Sequence, residues 1–152
     1  MSVSFDALKD FFEKNPLCIK AAQSLKNGAE ISLKVEDSFY TFTKISGANA
    51  LKNEAATKAD ISFTMPEATA LDLISKSFHS VGAVGVFLFQ EVASSDSTRK
   101  VHVKFHSGFL SLMASGYFGI LTAGGKDVAE YLATKGFTNF NKLKSVITNL
   151  RG

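Results

Sequence analysis

The hydrophobic pattern of the chain changes its period at one point near the middle, at Pro66. Ile61, Phe63 and Met65 alternate with polar residues, which is the pattern of a strand with one buried face. After Pro66 the apolar positions recur at helical spacing, beginning with Leu71. Proline is favoured at the first position of a helix, where its missing N–H is not needed. The pattern therefore predicts a strand that passes almost directly into a helix lying on its apolar face.

The pattern before this junction predicts two helices followed by a β-hairpin and a short third strand. Asn15 suits the N-cap of the second helix, because its side chain can accept from backbone N–H groups of the first turn. On the second strand of the hairpin, Tyr40 and Phe42 are expected to face the interior. The predicted elements are a helix over Ser4–Glu13, a helix from Pro16 to a cap at Asn27 and Gly28, strands over 31–35 and 39–45, and a short strand over 49–52.

Two segments in the second half of the chain are apolar on nearly every side. Val81–Val92 and Phe109–Leu121 are predicted helices, and an alternating strand over Val101–Phe105 separates them. A helix that is apolar all round must be buried on all sides, and a chain of 152 residues has few such positions. A cavity filled by an apolar ligand would resolve this conflict, and so would a homodimer interface.

The composition adds one unusual feature, an excess of phenylalanine. The chain has 14 Phe, 3 Tyr and no Trp, which suits either a packed core or an apolar cavity. The net charge is +3, and the lysines are scattered along the chain without a basic run. Nucleic-acid binders usually cluster Lys and Arg on one face. The charge pattern therefore excludes nucleic acid as the expected partner and leaves weak peripheral contact with anionic membranes as a secondary expectation.

The histidines and the single cysteine do not predict a metal site. His102 and His106 would approach each other on a helix, but the alternating strand spreads them by about 13 Å, so one zinc ion cannot bridge them. Both are expected on the exposed face of the strand. Cys18 lies among apolar residues and is expected to act as a small buried hydrophobe. Neither a metal nor a cofactor is predicted.

Catalytic motifs are weak throughout the sequence. His79 adjoins Ser80, but Phe78 stands where a nucleophile elbow requires glycine. A small esterase that uses Ser80 and His79 is therefore the least favoured function. The segment Gly119–Lys126 resembles a phosphate-binding loop, but its lysine comes one position late and the segment before it reads as helix. The sequence therefore predicts a protein that is not an enzyme.

Targeting signals and long apolar spans are not apparent in the sequence. The first residues lack the basic and apolar regions of a signal peptide. The longest apolar runs, Val81–Phe89 and Leu112–Ala123, are shorter than the ~20 residues that a membrane helix needs. A cytoplasmic protein is expected.

The order of predicted elements resembles the SCP-2-like (sterol carrier protein 2) sterol-binding domain family. The nearest local match is the run Lys58-Ala59-Asp60-Ile61-Ser62-Phe63-Thr64-Met65 together with the following helix. It is similar to the family's strand of Ala-Asp followed by alternating apolar residues. The resemblance implies an α+β fold in which a five-stranded mixed sheet carries helices over one face, with a hydrophobic tunnel between the layers. It implies non-catalytic binding of a sterol, a fatty acid or a fatty acyl-CoA.

The chain departs from the family pattern at two places. Arg99 and Lys100 stand before the last strand where the family often has glycine, and Gly108 follows that strand late. Residues 125–150 also add a helical segment, predicted as helices over Lys126–Lys135 and Asn139–Leu150.

The sequence as a whole is interpreted as a single lipid-binding domain over residues 1–152. The alternative is an accessory or dimerisation domain of the same fold whose cavity is filled by its own side chains. The residues expected to line the cavity, from their facing and position, are Phe63, Leu71, Ile74, Phe87, Phe105, Phe109, Leu112 and Met113.

Overall fold

The computed structural model describes residues 3–123 and the positions 130, 131 and 133. The helices predicted over Lys126–Lys135 and Asn139–Leu150 otherwise lie outside the described residues. In chain order the elements are α1 (Phe5–Lys14), α2 (Pro16–Ala21), β1 (Glu30–Val35), β2 (Ser38–Ile45), β3 (Ala48–Lys52), β4 (Ile61–Met65), α3 (Glu67–Ser75), α4 (Val81–Val92), β5 (His102–Phe105), α5 (Phe109–Ala114) and α6 (Phe118–Ala123).

The five strands form one mixed sheet in the order β3-β2-β1-β4-β5. β1 and β4 are parallel, with Ile31 opposite Ile61, and the other neighbouring pairs are antiparallel. A parallel pair needs a crossover between its strands, and here the β2–β3 hairpin and the loop after it provide the connection. The predicted fold class, a five-stranded mixed sheet with helices in an α+β arrangement, is confirmed.

One face of the sheet, called here the inner face, carries the apolar core. Side chains alternate between the two faces along a strand. The polar residues that stand between inward-facing ones, such as Ser32, Ser62 and Lys104, therefore lie on the opposite, outer face. Tyr40 and Phe42 point inward as predicted. The main apolar cluster joins residues of the sheet and of the helices, including Leu33, Phe42, Ile61 and Met65 from the strands and Leu8, Ala70 and Leu112 from the helices.

The first two helices begin as predicted, but the second ends early. The Ser4 hydroxyl caps α1 and the Asn15 side chain caps α2. α2 ends at Ala21, so the prediction that it continues to Asn27 and Gly28 is wrong. Just beyond Ala21 the backbone makes short-range turn bonds, such as that from the Leu25 N–H to the Ala22 carbonyl, and the Lys26 N–H then donates to the distant Ser115 carbonyl at 3.1 Å. At Lys26 a tertiary hydrogen bond takes the place of a helical one.

The strand-to-helix junction differs from the prediction by one residue. Pro66 is extended, with φ −66° and ψ 153°, and α3 begins at Glu67. Pro66 is therefore the residue before the helix rather than its first residue. The backbone N–H of Glu67 donates to the Glu36 carboxylate at 3.0 Å, which satisfies one of the N–H groups left open at the start of α3.

The apolar segment predicted as one helix over Phe109–Leu121 is two helices. α5 ends at Ala114 and α6 begins at Phe118, with Gly116 at φ +87° between them. The Ser24 hydroxyl donates to the Gly116 carbonyl at 2.7 Å. The break lets Tyr117 turn its ring into the core, where only 6% of its surface is exposed.

Candidate functional site

The helices cover the inner face of the sheet unevenly. On β1 and β2 the inward side chains of Leu33, Tyr40 and Phe42 are buried. On β5 the inward side chains of Val103 and Phe105 are only half-buried, as is Phe63, the register partner of Val103 on β4. Ile61 and Met65, on either side of Phe63 along β4, are buried. Half-buried aromatic rings on the interior side of a sheet are unusual for a solid core. Phe63, Val103 and Phe105 are therefore a partly accessible apolar patch on the inner face of β4 and β5.

Helix α4 packs on α2, α3 and α6 and has apolar side chains on several sides. Phe87 is buried in a second apolar cluster with Phe11 and Leu73. The other faces of α4, including Val84 and Leu88, are half-buried against the same cluster. The predicted conflict between an all-apolar helix and incomplete burial is present in the folded chain.

The two apolar clusters meet at shared side chains. Ile74 of α3 and Phe12 of α1 pack against both the main cluster and the second cluster. Phe78 lies edge-on to Phe87, with ring centroids 5.5 Å apart. The apolar region between the sheet, α3 and α4 is therefore continuous.

A polar network holds α3 and α4 in place beside this region. The Arg99 guanidinium donates to the Asp72 carboxylate of α3 at 2.7 Å and to the Glu91 carboxylate of α4 at 2.9 Å. The Thr69 hydroxyl donates to the Arg99 carbonyl at 2.7 Å. The hydrogen bond to Asp72 is the main cause that raises the pKa of Arg99. Arg99, which departs from the family pattern, thus fixes two helices by a forked pair of charge-assisted hydrogen bonds.

The predicted lining residues fall into three groups. Phe63, Ile74 and Phe105 are partly buried against the main cluster, and Leu112 is inside it at 1% exposure. Phe87 lies in the second cluster.

Two of the other predicted residues, Leu71 and Met113, are not in those clusters. Leu71 is half-buried on α3. Met113 lies on the outside of α5 with 47% of its surface exposed. Phe109 begins α5, and its side chain is outside the described residues. The sequence reasoning missed Val84, Leu88 and Val103, although the same periodicity that selected their neighbours would have included them.

The candidate chemistry weighed in the sequence occupies ordinary structural positions. Ser80 caps α4, its hydroxyl accepting from the Ala83 N–H at 3.1 Å. Cys18 is half-buried beside the second cluster, and burial raises the pKa of its thiol to about 12, so the thiol stays protonated. Gly119 belongs to α6, which confirms that helix precedes the glycine pair of the candidate phosphate loop.

The histidines of the last strand lie where the alternation placed them. His102 is in β5 and His106 follows its end, and both are exposed. Across residues 3–123 and the three further described positions, no group of three His, Cys, Asp or Glu side chains is arranged to hold a metal ion. In the same part of the chain, no helix is long and apolar enough to cross a membrane.

Comparison with known proteins gives a structural likeness and no match in sequence. No protein-family model matches the chain, and no curated protein matches it in sequence. Among solved structures, the chain is similar to a protein titled UbiJ-SCP2 ubiquinone synthesis protein. The TM-score is 0.43 at 14% identity, over 77% of this chain and 85% of the other. That title names the SCP2 fold that the sequence pattern resembles, and at this TM-score the likeness carries no argument about function. The description of the site rests on the chain's own geometry.

Proposed function

We propose that the protein binds an apolar lipid, such as a sterol, a fatty acid or a fatty acyl-CoA, between its sheet and its helices, without catalysing a reaction on it. The ligand would lie against the half-buried inner face of β4 and β5 and the apolar sides of α3 and α4. The observation that carries the proposal is the partial exposure of three neighbouring inward side chains, Phe63, Val103 and Phe105, beside the buried core. Apolar sites of this kind gain affinity mainly from the surface that they remove from water.

The alternative function is an accessory or dimerisation domain of the same fold. Its motive is the set of large apolar side chains on the exterior, above all Leu110, which is 77% exposed, and Met113 on the same helix. Exposed apolar patches commonly mark protein interfaces. This reading requires a dimer that forms without ligand and an apolar layer that takes up no lipid.

Native mass spectrometry of the protein as purified distinguishes the two functions. We expect an added mass that organic extraction removes, and uptake of a fluorescent fatty acid by the extracted protein. A mass equal to the chain or to two chains, together with no uptake of the fluorescent fatty acid, would exclude the carrier function.

A matched pair of substitutions locates the binding. Phe63→Ser changes a half-buried ring on the inner face, whereas Phe39→Ser changes a ring on the outer face that is 46% exposed. Uptake of the fluorescent fatty acid should fall for Phe63→Ser and persist for Phe39→Ser. Equal uptake by both variants would place the lipid elsewhere.

A further inference from the structure

A groove of about 370 Å³ lies on the outer face of the sheet, on the side away from the apolar layer. Ser32 and Ser62 are register partners on the parallel strands β1 and β4. His106 follows β5, the antiparallel neighbour of β4. The loop before β4 supplies the remaining lining residues, and the complete lining is Ser32, Ala56, Lys58, Ala59, Ser62 and His106.

The polar groups that line this groove are hydrogen-bond donors or can become donors. Lys58 brings an ammonium group, Ser32 and Ser62 bring hydroxyl groups, and His106 brings an imidazole. The lining contains no carboxylate. Lys104 lies directly opposite Ser62 in the register and adds a further cation at the edge. Such a set of groups is complementary to an anion with several acceptor oxygens.

Two carboxylates on segments that border the groove, Asp60 and Glu30, have other hydrogen-bond partners. Asp60 accepts from the Tyr117 hydroxyl at 2.7 Å, from the Ser107 hydroxyl at 2.8 Å and from the Glu30 N–H at 3.2 Å. Glu30 accepts from the backbone N–H of Lys58 at 3.5 Å, not from its ammonium. No ion pair joins the Lys58 ammonium to a carboxylate within the part of the chain that the structure describes. The cation is therefore available to a ligand.

The contact between Ser62 and His106 shows how the groove would accept a negative charge. The Ser62 Oγ and the His106 Nε2 are 2.7 Å apart. In the tautomer that has its hydrogen on Nε2, the imidazole donates to the Ser62 oxygen. The Ser62 hydroxyl hydrogen is then directed away from the ring and can donate to an anion in the groove.

We propose that this groove binds a phosphate monoester group, using Lys58 as a cation and the His106 imidazole and the two serine hydroxyls as hydrogen-bonding groups. A phosphate monoester presents three strong acceptor oxygens. The groove volume accommodates the phosphate and part of the group esterified to it. The phosphate could belong to a soluble metabolite or to a lipid headgroup, and both present the same chemistry. This site is independent of the lipid-binding proposal, because it lies on the opposite face of the sheet.

The test is NMR titration of the isotope-labelled full-length chain with inorganic phosphate and with glycerol phosphate. We expect the His106 imidazole and the Ser62 and Lys58 resonances to shift in a saturable manner. His106→Ala should weaken binding at least about tenfold, because a charge-assisted hydrogen bond is lost. His102→Ala is the matched control, since it removes an exposed histidine from the same face of the same region, and it should change the affinity less than about twofold.

Vesicles separate the two sources of the phosphate. Phosphatidate offers a monoester headgroup, whereas phosphatidylglycerol offers charge without one. Binding to phosphatidate vesicles alone, lost in His106→Ala, would assign the site to a lipid headgroup, and binding of glycerol phosphate alone would assign it to a soluble ligand. If phosphate causes no shift at the groove, or if both vesicles bind equally well to the parent and to His106→Ala, the proposed site is wrong. If His106→Ala does not fold, Lys58→Gln provides the same test, because it removes the ammonium group from the groove.

Discussion

At the scale of single residues, Asp60 joins several segments through its carboxylate, which accepts three hydrogen bonds. Its carboxylate joins the loop before β4 to the start of β1, to Ser107 after β5 and to Tyr117 between the last described helices. The backbone of Asp60 adds to this, since its carbonyl accepts from His106 and Ser107. A single carboxylate thus fixes three segments that are distant in sequence. Asp60 belongs to the local run that resembles the SCP-2-like strand, and its position explains why an aspartate fits there.

Removing the Tyr117 hydroxyl tests this network. Burial is the main cause that raises the pKa of Tyr117 above its usual range, and the hydrogen bond to Asp60 adds to it. Tyr117→Phe should lower the free energy of unfolding near neutral pH by about 1–3 kcal/mol, as expected for the loss of a hydrogen bond to a charged group. The measurement is chemical denaturation, and a double-mutant cycle with Asp60→Asn isolates the pair.

The raised pKa of Tyr117 also predicts a pH dependence. Above about pH 10 an unfolded chain loses the tyrosine proton while the folded chain keeps it, so the unfolded state binds fewer protons and stability falls as the pH rises. This contribution is fully present below about pH 10 and is absent from Tyr117→Phe at every pH. The free energy of unfolding should therefore fall less steeply with alkaline pH in the variant. Identical slopes would show that Tyr117 titrates alike in both states.

At the scale of elements, the break between α5 and α6 is the feature that most changes the apolar layer. Gly116 has φ +87°, and a Cβ added there would lie 1.9 Å from the Ser24 carbonyl oxygen. Gly28 has the same φ, but a Cβ added there would meet nothing within 4 Å. The two glycines therefore differ in their surroundings and not in their backbone conformation.

Substituting alanine at the two glycines separates strain from collision. Gly28→Ala should cost about 1–2 kcal/mol, which is the penalty for a left-handed residue with a side chain. Gly116→Ala has the same conformational penalty, and its Cβ also clashes with the Ser24 backbone. The free energy of unfolding should therefore fall by about 3 kcal/mol or more. Thermal unfolding of both variants provides the comparison. Equal losses would mean that the contact between Ser24 and Gly116 is not maintained in solution.

At the scale of the whole molecule, the apolar layer is packed unevenly. Leu112 of α5 belongs to the closed core at 1% exposure, whereas Phe105 on the inner face of β5 is only half-buried. Truncating a side chain in a closed core leaves a cavity and costs stability. Truncating one that already borders open space costs less in the empty protein, but it changes the surface available to a ligand.

Comparing the stabilities of Leu112→Ala and Phe105→Ala, with and without fatty acid, measures this difference in packing. Leu112→Ala should destabilise the delipidated protein by about 2–5 kcal/mol, and Phe105→Ala should destabilise it clearly less. Saturating fatty acid should raise the unfolding temperature of the parent, and Phe105→Ala should change that increase because its affinity is altered. If Phe105→Ala is strongly destabilised when empty and leaves the fatty-acid effect unchanged, Phe105 packs a solid core and the accessory-domain function is favoured.

The sequence by itself determined the elements whose pattern is local. All five strands and the starts of helices α1, α2 and α4 follow from period-two alternation, periodic apolar stripes and capping side chains. Most of the candidate site follows in the same way, because the face of a strand is set by its alternation. Phe63 and Phe105 were found by this rule.

Only the tertiary structure decided the features that depend on distant partners. After α2 has ended at Ala21, the Lys26 N–H bonds to the Ser115 carbonyl, and the last apolar helix breaks where Gly116 meets Ser24, 92 residues away. The outer groove pairs Ser62 with His106 across 44 residues of sequence. Periodicity reports which face a side chain occupies, but hydrogen bonds between segments far apart in the chain leave no periodic signal. For that reason the apolar layer could be predicted from the sequence, and its breaks and the polar groove behind it could not.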